Sequence, residues 1–376
     1  MATMIDLQPS SKFKYTKYNS GPLENNLLSR ITLMFAYKNS DQILSQLPHE
    51  IIQIIIKYIK LPAILYEKLL NNTTINGAEN GKGGFRDCMY CDTLSDGRLA
   101  VGDSDNHRLL IVDPDGVVPR ISINTLNHSS GVAVINDKYI AVARLTGHNV
   151  QIANIKTNPV LNEPNIRYRG QTYNLTQSFF TPTFVQYDGR DKRMDCPWDI
   201  CYDFITKVLF IADSSNGCVS RFYIHQKVCS PLSSLYVPDQ LFTRSVAIDR
   251  VARILYVAHT NAIDMYDIDT DDYLGEFLHC YVDKSNDKSN DKSKDNYDVN
   301  LVEDINGLAV DSDGNVLITM GGGRVCKACI KIFSKNRELL YEISSFNYPC
   351  GIAIDEKRQR LFICERYNNV IHMFSL

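Results

Sequence analysis

Gly307-Leu308-Ala309-Val310-Asp311-Ser312-Asp313-Gly314-Asn315-Val316-Leu317-Ile318 is a short apolar run, a polar reversal and a second apolar run. Asp, Ser and Gly at 311–314 accept the backbone angles of a tight turn. Short β-branched runs bounded by such residues predict an antiparallel pair of strands. Downstream, Gly321-Gly322-Gly323 makes the next reversal, 328–333 reads as a third strand and 339–346 as a fourth. The first run is almost wholly apolar, as a strand covered on both faces must be.

The same phrase recurs. Clear copies begin at Gly131-Val132-Ala133-Val134, Ser245-Val246-Ala247-Ile248 and Gly351-Ile352-Ala353-Ile354, with degenerate ones at Asp87-Cys88-Met89-Tyr90 and Asp199-Ile200-Cys201-Tyr202. Starts lie about 45 residues apart except across two longer intervals, the spacing of four-stranded propeller blades carrying two insertions. The expected fold is all-β, a six-bladed β-propeller over 71–376, preceded by a short α-helical unit. The last copy stops after its third strand at 370–374, which would leave an open sheet edge. A segment within 71–77 is therefore expected to return and supply the missing strand.

Asp103-Ser104-Asp105-Asn106-His107-Arg108, followed by Leu109-Leu110-Ile111-Val112-Asp113, resembles the NHL repeat, whose pattern places Asp and then Asn-His-Arg between the second and third strands. Asp213 with Asn216, and Glu365 with Asn368, are weaker echoes. The residues themselves read as caps on strand reversals, since carboxylates and amides bond nearby backbone N–H groups in turns.

Composition narrows the function. Residues 1–84 carry nine Lys/Arg against six Asp/Glu, and the remainder 31 against 37, so the propeller is acidic. Phosphate affinity needs clustered basic residues, so nucleic acid is not an expected partner. Residues 1–20 are polar and read as a disordered tail without a signal peptide. No run reaches membrane-spanning length. The 11 cysteines show no regular pairing intervals and read as free thiols in a reducing, cytoplasmic compartment. Residues 283–295 hold no apolar residue, and the insertion at 283–298 reads as a mobile loop. The insertion at 156–195 holds Phe179, Phe180, Phe184 and several tyrosines, so part of it should pack on the ring.

Within 21–70, Leu47-Pro48-His49-Glu50-Ile51 opens a helix: Pro sits at a first turn and Glu50 where the dipole favours an anion. Ile51, Ile55 and Ile59 form one stripe, widened by Ile52 and Ile56. This stretch resembles the opening helix of an F-box, although the family's later Val-Cys-Arg…Trp pattern is missing. The resemblance implies that Leu47, Pro48, Glu50, Ile51, Ile55 and Ile59 dock a ubiquitin-ligase adaptor.

Residues just before or opening each inner strand are expected to face the channel mouth: Arg86, Asp87, Ser130, Trp198, Asp199, Arg244, Asn306 and Cys350. Arg86 and Arg244, in opposed blades beside Trp198, suit an anionic partner. Propeller enzymes related to NHL repeats hold calcium or zinc in this channel. Asp87, Asp199 and Asn306 offer oxygen ligands, but the arginines oppose a cation and no histidine trio stands in register. Cys88/Cys91 and Cys326/Cys329 are expected to point their sulfurs to opposite strand faces and hold no zinc. No cofactor, metal or catalytic residue is assigned. The leading expectation is a non-catalytic scaffold holding a protein or peptide on its loop face, as substrate receptor of an SCF-type ubiquitin ligase. The alternatives are a metal-dependent, lactonase-like hydrolase or lyase, and an RNA-binding propeller.

Overall fold

The computed structural model describes residues 3–5, 14–17, 72–76, 84–115, 121–125, 127–155, 178–180, 183–185, 191–225, 228–237, 242–259, 262–279, 302, 304–322 and 327–376. Six antiparallel sheets follow one another, each running from an inner to an outer strand. The inner strands are Cys88–Thr93, Ser129–Val134, Pro197–Asp203, Thr243–Asp249, Ile305–Val310 and Pro349–Asp355, opening blades one to six.

Strand periodicity builds the ring. In blade three every residue of Val208–Asp213 is buried. Leu209 and Ile211 enter the core shared with blade two, while Val208, Phe210 and Ala212 enter the one shared with blade four. Successive side chains point to opposite faces of a strand, so one strand serves two interfaces. The same division makes six cores, one between each pair of successive blades, the last joining blade six to blade one through Phe362, Cys364, Val101 and Leu110. Each large side chain buried there contributes about 1.5–3 kcal/mol.

Closure follows the sequence expectation. Asn72–Ile75 pairs antiparallel with Val370–Ser375, setting Asn72 against Phe374 and Ile75 against Ile371. The first segment of the ring thus completes the last blade and removes its open edge. Two further strands, Thr3–Ile5 and Lys14–Lys17, extend blade five beyond Leu339–Ser344. The stretch expected to be a tail therefore contributes sheet edge. The 156–195 insertion supplies Ser178–Phe180 as the outer strand of blade two and a hairpin of Thr183–Val185 with Asp191–Arg193, which lies beside Val228–Tyr236. The F-box-like residues Leu47, Pro48, Glu50, Ile51, Ile55 and Ile59, and the 283–298 loop, lie outside the described residues. No helix among the described residues is long and apolar enough to cross a membrane.

Closure makes one strand matter to the whole ring. Thr73→Pro with Thr74→Pro removes whichever N–H donates to Val370–Ser375, and leaving its buried acceptor unpaired costs about 1–3 kcal/mol. Thermal unfolding should fall by at least about 5 °C, with faster proteolysis near Phe85. An unchanged melting temperature would contradict closure by this strand.

Candidate functional site

Every inner strand carries a one-residue bulge where it enters the channel. The register slips between Cys88 and Cys91, Ser129 and Val132, Pro197 and Ile200, Thr243 and Ser245, Ile305 and Gly307, and Pro349 and Ile352. A bulge turns an extra side chain out of the ladder. Here the displaced residues are Met89 with Tyr90, Ser130 with Gly131, Trp198 with Asp199, Arg244, Asn306, and Cys350 with Gly351. In blades one, three, five and six the residue just before the strand, Asp87, Cys196, Asp304 or Tyr348, adopts positive φ. The turn between second and third strands bonds back to this entry segment, as Ser104 N does to Asp87 O and Ser214 N to Cys196 O.

The NHL-like acids serve this entry turn as well as their own reversal. Asp103 accepts from Arg86 N at 2.8 Å, Asn106 Nδ2 at 2.9 Å and Arg108 Nε at 2.5 Å. Asp213 likewise accepts from Asp195 N at 2.8 Å, Asn216 Nδ2 at 3.0 Å and Ser220 Oγ at 2.8 Å. In blade six Glu365 accepts from Asn347 N and meets His372 Nε2 at 2.8 Å. Burial would raise the Glu365 carboxyl, but His372 and the donated bonds override it and hold it at about 2. Each such bond to a charged acceptor contributes about 1.5–3 kcal/mol.

The bulge register corrects the sequence alignment of blade one. Cys88 faces Asp103 as Pro197 faces Asp213, so Tyr90, not Asp87, stands where Gly131, Asp199, Ser245, Gly307 and Gly351 stand. This position is small because it rests on the next blade. A Cβ on Gly131 would lie 2.6 Å from Asp199 Cα, and one on Gly351 2.5 Å from Tyr90 Cα. Tyr90 instead sends its ring across the channel. Its hydroxyl donates to Asn306 O and lies 3.3 Å from Arg244 O, reaching the two blades opposite. Burial and the Asp199 carboxyl push its phenol well above the usual range. The channel is thereby a cup with a floor, not an open pore.

Around that floor stand Trp198, Asp199, Arg244, Asn306, Tyr348 and Cys350. The Arg244 guanidinium lies over the Trp198 ring at 4.9 Å and has no carboxylate partner among the described residues. Asn306 Nδ2 donates to Pro349 O at 3.1 Å. Asp199 is buried: Oδ1 accepts from Ile200 N at 2.8 Å, and Oδ2 accepts from the Ser245 hydroxyl and, at 3.3 Å, from Val246 N. Ser245 Oγ in turn accepts from Leu308 N at 3.0 Å, tying blades three, four and five. Desolvation pushes the Asp199 carboxyl up to about 7 against the bonds from Ser245 and the two backbone N–H groups.

The structure therefore assembles Trp198, Asp199, Arg244, Asn306 and Cys350, places Ser130 in the blade-two bulge with its hydroxyl donating to Pro197 O at 3.0 Å, and corrects Arg86 and Asp87. Arg86 is exposed and precedes the bulge by three residues. Asp87 is bound by Arg366 through Nε and, at 3.0 Å, Nη2. Asp249, in the same strand as Arg244, caps the turn at its far end by accepting from Val251 N and Ala252 N. A calcium cluster of Asp87, Asp199 and Asn306 does not fit: Arg366 occupies the first carboxylate, and protein donors already fill both oxygens of the second. Cys88 and Cys91 enter one core with Cys364, because the bulge between them undoes the expected alternation. Tyr90, Tyr348 and Cys350 complete the cup. Only Cys350 was legible from spacing, since the degenerate first copy hides Tyr90 three residues downstream.

No protein-family profile matches the chain, and no curated protein does. Among solved structures it is similar to the hydrazine synthase of Kuenenia stuttgartiensis, with 14% identity over 79% of this chain and 78% of that one and a TM-score of 0.50. It is also similar to a gluconolactonase of Xanthomonas campestris, with 15% identity over 77% of this chain and 87% of that one and a TM-score of 0.52. At such identities the likeness establishes the propeller fold. Both neighbours are enzymes, so the shared fold corrects the leading expectation of a non-catalytic scaffold and ubiquitin-ligase receptor: the ring is one on which catalytic proteins are built, as the alternative held.

The buried carboxyl gives the ring a pH dependence. Asp199 has a folded pKa of about 7, above the unfolded value of about 3.9. Near neutrality the folded chain keeps a proton that the unfolded chain has released. This stabilisation is full below about pH 4 and is lost as pH rises through about 7. Asp311, pushed up to about 7 by burial, acts in the same direction. Melting temperature should therefore fall between pH 5.5 and pH 8.5, and Asp199→Asn should reduce the fall while leaving the share from Asp311. An equal fall in both proteins would contradict a raised Asp199.

Proposed function

We propose that the cup is the active site of a propeller hydrolase acting on a small ester or lactone with an anionic or sugar-like body. The observation that carries this reading is Asp199, a carboxyl at the ring centre poised at about 7. A group with that pKa exchanges protons at neutral pH, as general acid–base catalysis requires. Arg244, oriented over Trp198, supplies a fixed positive charge for the oxygen that becomes negative when water adds to an acyl carbon. Trp198 and Tyr348 offer aromatic faces to the substrate body, and the Tyr90 floor limits its depth. The gluconolactonase among the structural neighbours supports the reaction class.

The protons balance simply in this scheme. Water gives one proton to the Asp199 carboxylate through the Ser245 hydroxyl already bonded to it, as its oxygen bonds the acyl carbon. The protonated carboxyl returns it to the departing alkoxide. Hydrolysis of a lactone and ester panel should rise as Asp199 ionises through about pH 7. Asp199→Asn should remove that limb, and Arg244→Gln should lower kcat/KM at least about tenfold, close to 1.4 kcal/mol of barrier. Turnover that persists unchanged in both variants would refute the assignment, as would no turnover on any member of the panel.

A further inference from the structure

Beside the cup, His148, Asp195 and Cys196 bring three different metal-ligating atoms together within 4.8 Å of one another. His148 belongs to the turn between second and third strands of blade two, and Asp195 and Cys196 to the entry turn of blade three. His148 Nδ1 lies 2.8 Å from Asp195 Oδ1 and 3.9 Å from Cys196 Sγ. Tetrahedral zinc, with bonds of about 2.0 Å to nitrogen or oxygen and 2.3 Å to sulfur, would space those pairs by about 3.3 and 3.5 Å. The first pair is about 0.5 Å shorter and the second about 0.4 Å longer than these values, differences within the reach of side-chain torsions.

The hydrogen bonding around Nδ1 points the same way. Cys196 N donates to it at 3.1 Å, which requires an unprotonated nitrogen, while the Asp195 carboxylate at 2.8 Å requires a protonated one. No tautomer satisfies both partners. A cation at this point removes the conflict by taking the Nδ1 lone pair and a carboxylate oxygen at once, in place of the amide contact. A Cys–His–Asp catalytic relay is a poorer reading, because a relay uses both ring nitrogens whereas thiol and carboxylate here converge on one.

The supporting shell is built. Asp213, wholly buried, accepts from Asp195 N. Ser215 N donates to Asp195 O at 3.2 Å, and Ser214 N donates to Cys196 O at 3.3 Å. His148 and Cys196 both hold positive φ, at 49° and 52°, a conformation non-glycine residues keep only when their surroundings enforce it. The His148 and Asp195 side chains are 48% and 50% exposed, leaving an entry path for an ion.

We propose that His148, Asp195 and Cys196 form a zinc site on the rim of the cup, with the fourth coordination position open to water or substrate. One thiolate, one imidazole and one carboxylate select zinc over calcium or magnesium, which take oxygen ligands. Three protein ligands with a vacant position are the pattern of catalytic zinc sites. Titration of chelator-treated protein with zinc chloride should give one ion per chain and raise the melting temperature. Cys196→Ser and His148→Ala, each checked for native near-ultraviolet circular dichroism, should each weaken binding at least tenfold. Cobalt(II) in the wild type should give a thiolate-to-metal charge-transfer band that Cys196→Ser lacks. No zinc binding by the wild type would overturn the proposal, and so would equal affinity in all three proteins or a cobalt spectrum unchanged by Cys196→Ser. None of these readouts depends on hydrolysis, so the site stands or falls separately from the acid–base reading of Asp199.

Discussion

The ring depends on one close approach, repeated around its axis. After the bulge in blades two, five and six the inner strand passes against the backbone of the next blade. A Cβ on Gly307 would sit 2.3 Å from Cys350 O, as close as those at Gly131 and Gly351 sit to their own neighbours. Backbone atoms at that range cannot yield as a flexible side chain can. The small residue at these glycines is thus a geometric demand, and its recurrence at 131, 245, 307 and 351 marks four of the six blades in the sequence. Where the position does not hold glycine, its occupant does something else. Ser245 and Asp199 join across the interface by a hydrogen bond, and Tyr90 projects over the axis to close the channel.

Those exceptions create the chemistry. A glycine at 199 would remove the hydrogen bonds that join the third blade to Ser245 and Val246 of the fourth at this point. The carboxyl there loses its water and gains three protein donors, and their sum leaves it near neutrality rather than fully ionised. Burial and hydrogen bonding are opposed effects on a carboxylate, and at Asp199 burial wins. At Asp203, in the same strand, Arg253 at 2.9 Å reverses the balance, and the carboxyl is held below its ordinary value although burial alone would raise it. Two aspartates four residues apart therefore differ because one has a cation beside it and the other does not.

Much of the fold was legible before the structure. The turn residues, the apolar inner runs and the early stop of the last copy gave the blades and the closing strand. The acids at 103, 213 and 365 were recognisable as caps, but not as the groups that also anchor the entry turn of their own blade, since that partner lies 17 or 18 residues away. The site was half legible. Arg244 and Asn306 follow from clear copies of the repeat, and Trp198 and Asp199 from a degenerate one. Arg86 and Asp87 were misplaced because a tyrosine stands where the pattern expects a small residue. His148 and Cys196 carry no sequence signal, being 48 residues apart and joined only by the packing of neighbouring blades.

The central claim is that the cup above Tyr90 is where a substrate reacts. A crystal structure with a bound phosphonate analogue of ester hydrolysis tests it most directly. The account predicts the phosphonate oxygens on Arg244, its body against Trp198 and Tyr348, and Tyr90 still bonded to the Asn306 carbonyl beneath it. An analogue seated away from the cup, or a channel opened by withdrawal of Tyr90, would contradict it.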